Sequence, residues 1–375
     1  MKSILANANR YIEGNSPMLD DAFGKARIVV VGCGGAGNNT ITRLHMLGGI
    51  TGAQTVAINT DKQHLAITEA DVKLLIGSNL TQGLGAGGDP QVGNEAAEES
   101  KQDIRSLIEN AHLVFITAGM GGGTGTGSAP VIAEMAKAAG ALVIGVVTLP
   151  FKMEGGVRLK KAELGLNVLK NYADTVITLD NNKLLELVPN QPVNYAFSVA
   201  DEVLAEMVKG LSETITTTSL VNLDFADIKS VMQSGGVALI GVGESNTKNR
   251  ADEAVMEALK NKLLEVDYSQ AKGALVHVSG GPDMSLTEAN RVGELINEKI
   301  GGNADVIWGA RVDENLKDSI RVMLILTGVK SPWISGREAD GANASFKATD
   351  GFNWGKMTKT QGFSWTNYDI PTIRP

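Results

Sequence analysis

Gly119-Met120-Gly121-Gly122-Gly123-Thr124-Gly125-Thr126-Gly127 packs six glycines into nine positions. The run follows the apolar stretch His112 to Ala118, which reads as a strand, and precedes a helical pattern from Ser128 to Ala139. Glycines in that density cost backbone entropy and add nothing to a core. What they offer is unhindered backbone N–H groups at a helix N-terminus, where the macrodipole favours an anion. An earlier stretch repeats the arrangement. Gly32-Cys33-Gly34-Gly35-Ala36-Gly37 also joins a strand to a helix and has the G-x-G-x-x-G spacing of a dinucleotide loop, with Asp61 after the next strand able to act as a ribose-binding acid. Taken alone, that loop fits a nicotinamide or flavin enzyme, or a tight turn. A dinucleotide fold has no need of the second loop. A third cluster, Gly83-Leu84-Gly85-Ala86-Gly87-Gly88-Asp89, follows the third strand and can close over the same ligand. Three cradles along one sheet edge suit a polyphosphate. No glycine run leads into Gly-Lys-Ser or Gly-Lys-Thr, so the Walker loop is absent.

Around these loops the first half alternates apolar runs (26–31, 54–58, 72–76, 112–118, 141–148 and 175–179) with helix-length segments (38–47, 94–110, 128–139 and 157–171). Nearly all-apolar strands alternating with helices predict a parallel sheet covered on both faces. After Pro192 the pattern becomes one long helix. Val193, Ala196, Phe197, Ala200, Val203, Leu204, Met207, Val208, Leu211 and Ile215 recur at spacings of three and four. Further strands and helices run to Val329. The expected fold is α/β: a doubly wound parallel-sheet nucleotide-binding domain (26–192), a long central helix (193–218), a smaller second α/β domain (219–330) and an extended C-terminal tail (331–375), with residues 1–25 as an N-terminal extension. The tail holds seven of the 17 aromatic residues, including Trp333, Trp354 and Trp365, which suits either an interaction segment or a tail packed on the body.

Composition narrows the function classes. The chain has 375 residues with 43% hydrophobic and 20% charged, ordinary globular usage. No apolar run approaches the roughly 18 residues that read as a membrane span, so no direct membrane insertion is expected. Residues Met1 to Gly14 show no secretory pattern. A net charge of −8 argues against nucleic acid as the main partner. The one cysteine, Cys33, fits a reducing compartment. His45, His64, His112 and His277 are widely spaced, and no protein metal site is expected.

The motifs resemble those of FtsZ, the prokaryotic relative of tubulin, and of its archaeal members in particular. The resemblance spans about Ala26 to Val329. It is carried by Gly121-Gly122-Gly123-Thr124-Gly125-Thr126-Gly127, by Val31-Gly32-Cys33-Gly34-Gly35-Ala36-Gly37-Asn38-Asn39, and by Asn222-Leu223-Asp224-Phe225-Ala226-Asp227, in the family's order. It implies GTP and GDP as ligands. Gly34, Gly35, Ala36, Gly37 and Asn38 would form the first phosphate loop, with Asn39 toward the base and Asn59 and Asp61 completing that side. Gly85, Ala86, Gly87 and Gly88 would lie near the γ-phosphate. Gly121, Gly122, Gly123, Thr124, Gly125, Thr126 and Gly127 would cradle the phosphates. Glu154 and Arg158 would meet ribose and phosphate, and Asn181, Phe197 and Asp201 the guanine. A carboxylate can accept from guanine N1–H and its exocyclic amine together, which adenine cannot match. Where the family carries Pro-Asn, this chain has Asp180-Asn181-Asn182.

The resemblance also implies catalysis. Asp224 and Asp227, with Asn222, would reach the nucleotide of the next subunit, although Asp224 as a plain helix cap reads equally well from those residues alone. A loop at one end completing a pocket at the other makes a head-to-tail homopolymer. Mg²⁺ would be bound mainly through the phosphates. Tyr368 to Pro375 resembles the family's tail peptide for a membrane-tethering division adaptor, and the implied location is cytoplasmic, at the division site beneath the membrane. A non-hydrolysing GTP-binding scaffold and a nucleotide-dependent oxidoreductase remain as rival readings.

Overall fold

The computed structural model describes residues 26–50, 52–183, 192–216, 224–233, 236–260, 271–300, 304–314 and 316–329. The N-terminal extension, Asn222 and the tail with Tyr368 to Pro375 lie outside the described residues.

The first half runs β1 (Ile28–Cys33), α1 (Gly34–Met46), β2 (Ala53–Asn59), α2 (Lys62–Ile67), β3 (Val72–Leu75), α3 (Ser78–Thr81), α4 (Pro90–Glu99), α5 (Lys101–Ile108), β4 (Leu113–Gly119), α6 (Thr124–Ala138), β5 (Leu142–Leu149), α7 (Gly156–Tyr172) and β6 (Thr175–Asp180). Its strands pair in parallel in the order β3-β2-β1-β4-β5-β6. Strand β1 shows why the runs are unbroken in apolarity. All six of its residues are buried. Val29, Val31 and Cys33 join the core on one face, and Ile28 and Val30 the core on the other.

Several helix boundaries differ from the sequence expectation. Helices α1 and α6 start inside the glycine loops, because apolar periodicity becomes visible only past the glycines. The single helix expected over 94–110 is two helices broken at Ser100, whose Oγ accepts from Gly77 N at 3.1 Å and whose backbone leaves helical geometry (ψ 18°).

The second half runs α8 (Val193–Thr216), α9 (Phe225–Gln233), β7 (Gly236–Ser245), α10 (Arg250–Leu259), β8 (Gly273–Gly280), α11 (Leu286–Lys299), β9 (Asp305–Val312) and β10 (Ile320–Val329). Strand β10 is antiparallel to β7 and β8, and β8 is parallel to β9. Two residue pairs, Thr175↔Gly236 and Val176↔Val237, join β6 to β7, so the two lobes share one continuous sheet. They share a core as well. Ala200, Leu204, Met207, Val208 and Leu211 of α8 pack in one cluster with Ile28 and Phe115 of the first lobe and Ile228, Ile240 and Ile325 of the second. Phe197, counted in the apolar stripe of this helix by its spacing, is not core: it is 43% exposed.

The second lobe is pinned by a polar knot. Arg250, at the start of α10, donates from Nε to Glu288 at 2.6 Å and pairs through Nη1 with Asp283 at 2.5 Å. The Arg250 hydrogen bond, aided by Ser285, holds the Glu288 carboxyl down at about 2 against the desolvation that opposes it. A depressed carboxyl contributes stability that is present above its unfolded value of about 4.3 and lost as pH falls toward 2. Replacing Arg250 with Met should cost about 2 kcal/mol, the scale of hydrogen bonds to a charged group, and should flatten the acid limb of thermal stability between pH 4.5 and 2, as followed by circular dichroism.

Candidate functional site

Strand order reverses direction between β1 and β4, and the crevice at their carboxyl ends is where a parallel sheet accepts a ligand. There the chain passes from β1 straight into α1 and from β4 through a short turn into α6. Neither helix has a side-chain cap at its N-terminus. Helices α2, α4 and α11 do, from Asp61, Asp89 and Ser285. Two uncapped N-termini therefore present free N–H donors to the same crevice.

The glycines bring the two turns together. Gly34 has φ +69°, and a Cβ on it would lie 2.8 Å from Gly125 N, so any other residue would force the loops apart. A Cβ on Gly127 would lie 2.1 Å from Pro90 O, which seats α6 directly on α4. The third loop abuts the second, since a Cβ on Gly123 would meet Ala86 Cβ at 2.8 Å.

The resulting cleft is open and about 230 Å³ in volume. Of the residues predicted from sequence, Gly35 and Ala36 line it from the first loop, and Gly122, Gly123, Thr124 and Gly125 from the second. Glu154, Arg158, Asn181, Phe197 and Asp201 complete the wall. Others stand behind it. Gly121 N donates to Thr126 Oγ1 at 2.9 Å, a buried tie within the second loop. Gly34, Gly37 and Asn38 are buried in the first turn of α1. With its side-chain amide turned so that oxygen and nitrogen each face a suitable partner, Asn38 donates to Gly32 O at 2.9 Å and accepts from Asn59 Nδ2 at 3.0 Å. Asn59 Oδ1 accepts from Thr60 N at 2.9 Å, and Asp61 caps α2 through Gln63 N and His64 N. Asn38, Asn59 and Asp61 thus hydrogen-bond within the protein to shape the loops. Gly85, Ala86, Gly87 and Gly88 form the turn before α4 and do not line the cleft.

At one wall, Phe197 meets the edge of Phe151 with ring centroids 5.0 Å apart, which fixes its plane. Asn181 is 6% exposed, and its Oδ1 is a buried acceptor with no partner among the described residues. Burial pushes the Asp201 carboxyl up to about 7, against the pull of Arg43 and a hydrogen bond from Asn39. Arg43 also pairs with Glu202. At the rim, Glu154 accepts from Phe151 N at 2.8 Å and pairs with Arg158 at 3.0 Å. Sequence reasoning missed Cys33, Thr148 and Pro150, which also line the cleft. The last two sit at or just past the carboxyl end of β5, a position the switch-point rule would have flagged. Burial raises the Cys33 thiol to about 12, so it stays protonated.

Asp224 and Asp227 are elsewhere. Both are exposed at the start of α9, where Asp224 accepts from Ala226 N at 3.3 Å as a cap does. Phe225 between them packs edge-on against His112, centroids 6.2 Å apart, just before the amino end of β4. The cleft lies at the carboxyl end of that strand, about 20 Å away at 3.3 Å per residue. The aspartates and the cleft of one chain are at opposite ends of the sheet.

Residues 27–189 match the family model described as Tubulin/FtsZ family, GTPase domain, and residues 236–330 match FtsZ family, C-terminal domain. The chain is 59% identical over 323 residues to Cell division protein FtsZ 2 of Methanocaldococcus jannaschii, covering 85% of this chain and 84% of that protein. It is 52% identical over 347 residues to Cell division protein FtsZ 2 of Haloferax volcanii, covering 92% and 86%. A solved FtsZ dimer from M. jannaschii superimposes with a TM-score of 0.78 at 50% identity, covering 90% of this chain and 98% of that one.

The raised carboxyl of Asp201 has a consequence for the ligand-free protein. Its charge is disfavoured in the folded state, so the penalty grows as pH rises from about 4 and is complete above 7. Asp201→Asn should therefore raise the melting temperature of nucleotide-free protein by a few degrees at pH 8 and leave it unchanged at pH 4, read by differential scanning fluorimetry.

Proposed function

The chain belongs to the tubulin/FtsZ family, and on that premise we propose how its residues carry out the reaction of a GTPase. It is a GTP-binding, GTP-hydrolysing protein of cell division that self-associates into filaments. GTP lies in the cleft between β1 and β4. The uncapped turns of α1 and α6 receive its phosphates, with Gly34 to Asn38 and Gly121 to Gly127 as the two cradles and the Thr124 and Thr126 hydroxyls as further donors. Gly85 to Gly88 flank the γ-phosphate. Glu154 and Arg158 hold the ribose side. Phe197 offers its face to the guanine ring, Asn181 Oδ1 gains the donor it lacks, and ionised Asp201 accepts from N1–H and the exocyclic amine, with Asn39 beside it. Among the described residues no group of three or more His, Cys, Asp or Glu could hold a metal ion. Mg²⁺ would be held mainly through the phosphates, where it would supply charge neutralisation.

The placement of Asp224 and Asp227 carries the mechanism. Hydrolysis needs a water oriented in line with the γ-phosphate, and no free carboxylate stands among the glycine loops. The aspartates stand at the other end of the molecule. Stacking a second copy head-to-tail brings its Asp224 and Asp227, with Asn222, against the open cleft, and the active site is whole only at that contact. Such a heterologous interface propagates as a filament. The nucleotide-binding domain spans 26–192, the connecting helix 193–218 and the activating domain 219–330. Tyr368 to Pro375, a Pro-containing apolar segment by sequence, docks on a membrane-tethering adaptor, which places the filament in the cytoplasm beneath the membrane at the division site.

Asp227→Ala should still assemble with GTP by light scattering while phosphate release falls by about a hundredfold or more; normal turnover would refute the shared site. Removing residues 366–375 should leave GTP turnover intact and abolish recruitment to adaptor-bearing vesicles in a flotation assay.

A further inference from the structure

Lysine is the residue least suited to burial, yet Lys161 of α7 is only 9% exposed while its neighbours Lys160 and Lys170 on the same helix are exposed. Its ammonium donates to Gly88 O at 2.7 Å, and among the described residues no carboxylate pairs with it. The reason for its burial lies in the helix face it shares. Arg158, Lys161, Ala162 and Gly165 fall at spacings of three and four, on one side of α7. At one end of this stripe the Arg158 backbone lies against Gly121, and at the other Gly165 lies against Thr126 and Met120. The stripe therefore runs along the second glycine loop, and from its middle Lys161 reaches across to the third.

Apart from that bond to the third loop, Asp89 N donates to Ala86 O at 3.0 Å and Ala86 packs against Gly123, while the Gly87 to Gly88 apex is open. Gly85, Gly87 and Gly88 all have positive φ, and nothing lies within 4 Å of where a Cβ on Gly87 or Gly88 would stand. One end is tied by Gly85 N to Thr60 O at 3.1 Å, and the other continues into Asp89, whose carboxylate caps α4. Between those ties, Lys161 provides the side-chain bond to the loop backbone among the described residues. A run of glycines has the largest conformational freedom to lose. A buried ammonium also sets a positive charge behind the loop, in surroundings that screen it weakly.

We propose that Lys161 is a positioning residue for the γ-phosphate. It holds the Gly85 to Gly88 turn in its receiving conformation and thereby sets how strongly the protein prefers a nucleoside triphosphate to the diphosphate. This rests on reading that turn as flanking the γ-phosphate. The ligand enters no bond with Lys161 itself; the lysine acts through the loop.

The test is the ratio of dissociation constants for GDP and a non-hydrolysable GTP analogue, measured on the full chain below its assembly concentration. Lys161→Met keeps the aliphatic stem and removes charge and donors. It should lower the ratio by about tenfold, the equivalent of one hydrogen bond to a charged group, through weaker triphosphate binding, with GDP affinity and melting temperature close to the parent. Lys161→Arg should restore the ratio. Should Lys161→Met prove unstable, Lys161→Gln, which keeps an N–H donor without charge, serves the same comparison. Equal weakening of both nucleotides, or an unchanged ratio, overturns the proposal. Gly87→Val separates the two claims, because it distorts the turn without touching Lys161. If Gly87→Val collapses the ratio and Lys161→Met does not, the lysine's role fails and the loop reading stands. If neither moves it, the reading of the loop fails and the inference with it.

Discussion

Everything in this molecule depends on two backbones touching where side chains would not fit. Gly34 meets Gly125 at a distance that excludes a Cβ, and that contact aligns the free N-termini of α1 and α6 on one point at the carboxyl end of the sheet. The donors there have no side-chain cap among the described residues. Their unmet hydrogen-bonding capacity, and the positive ends of two helix dipoles, make the cleft a receptor for an anionic ligand before any side chain is considered.

The remaining contacts hold that convergence in place. Asn38 and Asn59 bind each other and the loop backbone, so the first turn of α1 and the end of β2 move as one piece. Behind the second loop, α7 presses its small and long side chains in turn, Gly165 for close approach and Lys161 for reach. At the base end, the first turns of α8 supply Phe197, Ala200 and Asp201 to the cleft, while Leu204, Met207, Val208 and Leu211 further along the same helix lie in the core shared by both lobes. One helix thus joins the nucleotide wall to the packing that orients the second lobe.

The same architecture underlies the proposal that the reaction calls for two molecules. A parallel sheet gathers its ligand at the carboxyl ends of its strands. The second lobe begins at the amino ends, where Phe225 packs on His112. A carboxylate at the start of α9 is held a full strand length from the cleft of its own chain, and in the proposed head-to-tail contact this separation becomes a requirement for assembly.

The amino-acid sequence alone determined the α/β class, the strand sites, the long helix and the glycine loops, because burial on both faces, helical periodicity and glycine density are local patterns that survive without coordinates. It also supplied the residue types that meet in the cleft. It could not separate the glycines that line the cleft from those that stand behind it: Gly125 and Gly127 look alike in the chain, but Gly125 lines the cleft while Gly127 packs against α4. Nor could it remove Phe197 from the apolar stripe, or show Asn38 turned inward and Ser100 breaking a helix, since each depends on a partner far away in sequence. The position of Asp224 and Asp227 relative to the cleft was decided by the tertiary structure alone, through the path of α8 and the packing of α9, because distance in space across a sheet is set by which end of a strand an element packs against and leaves no mark in the residues themselves.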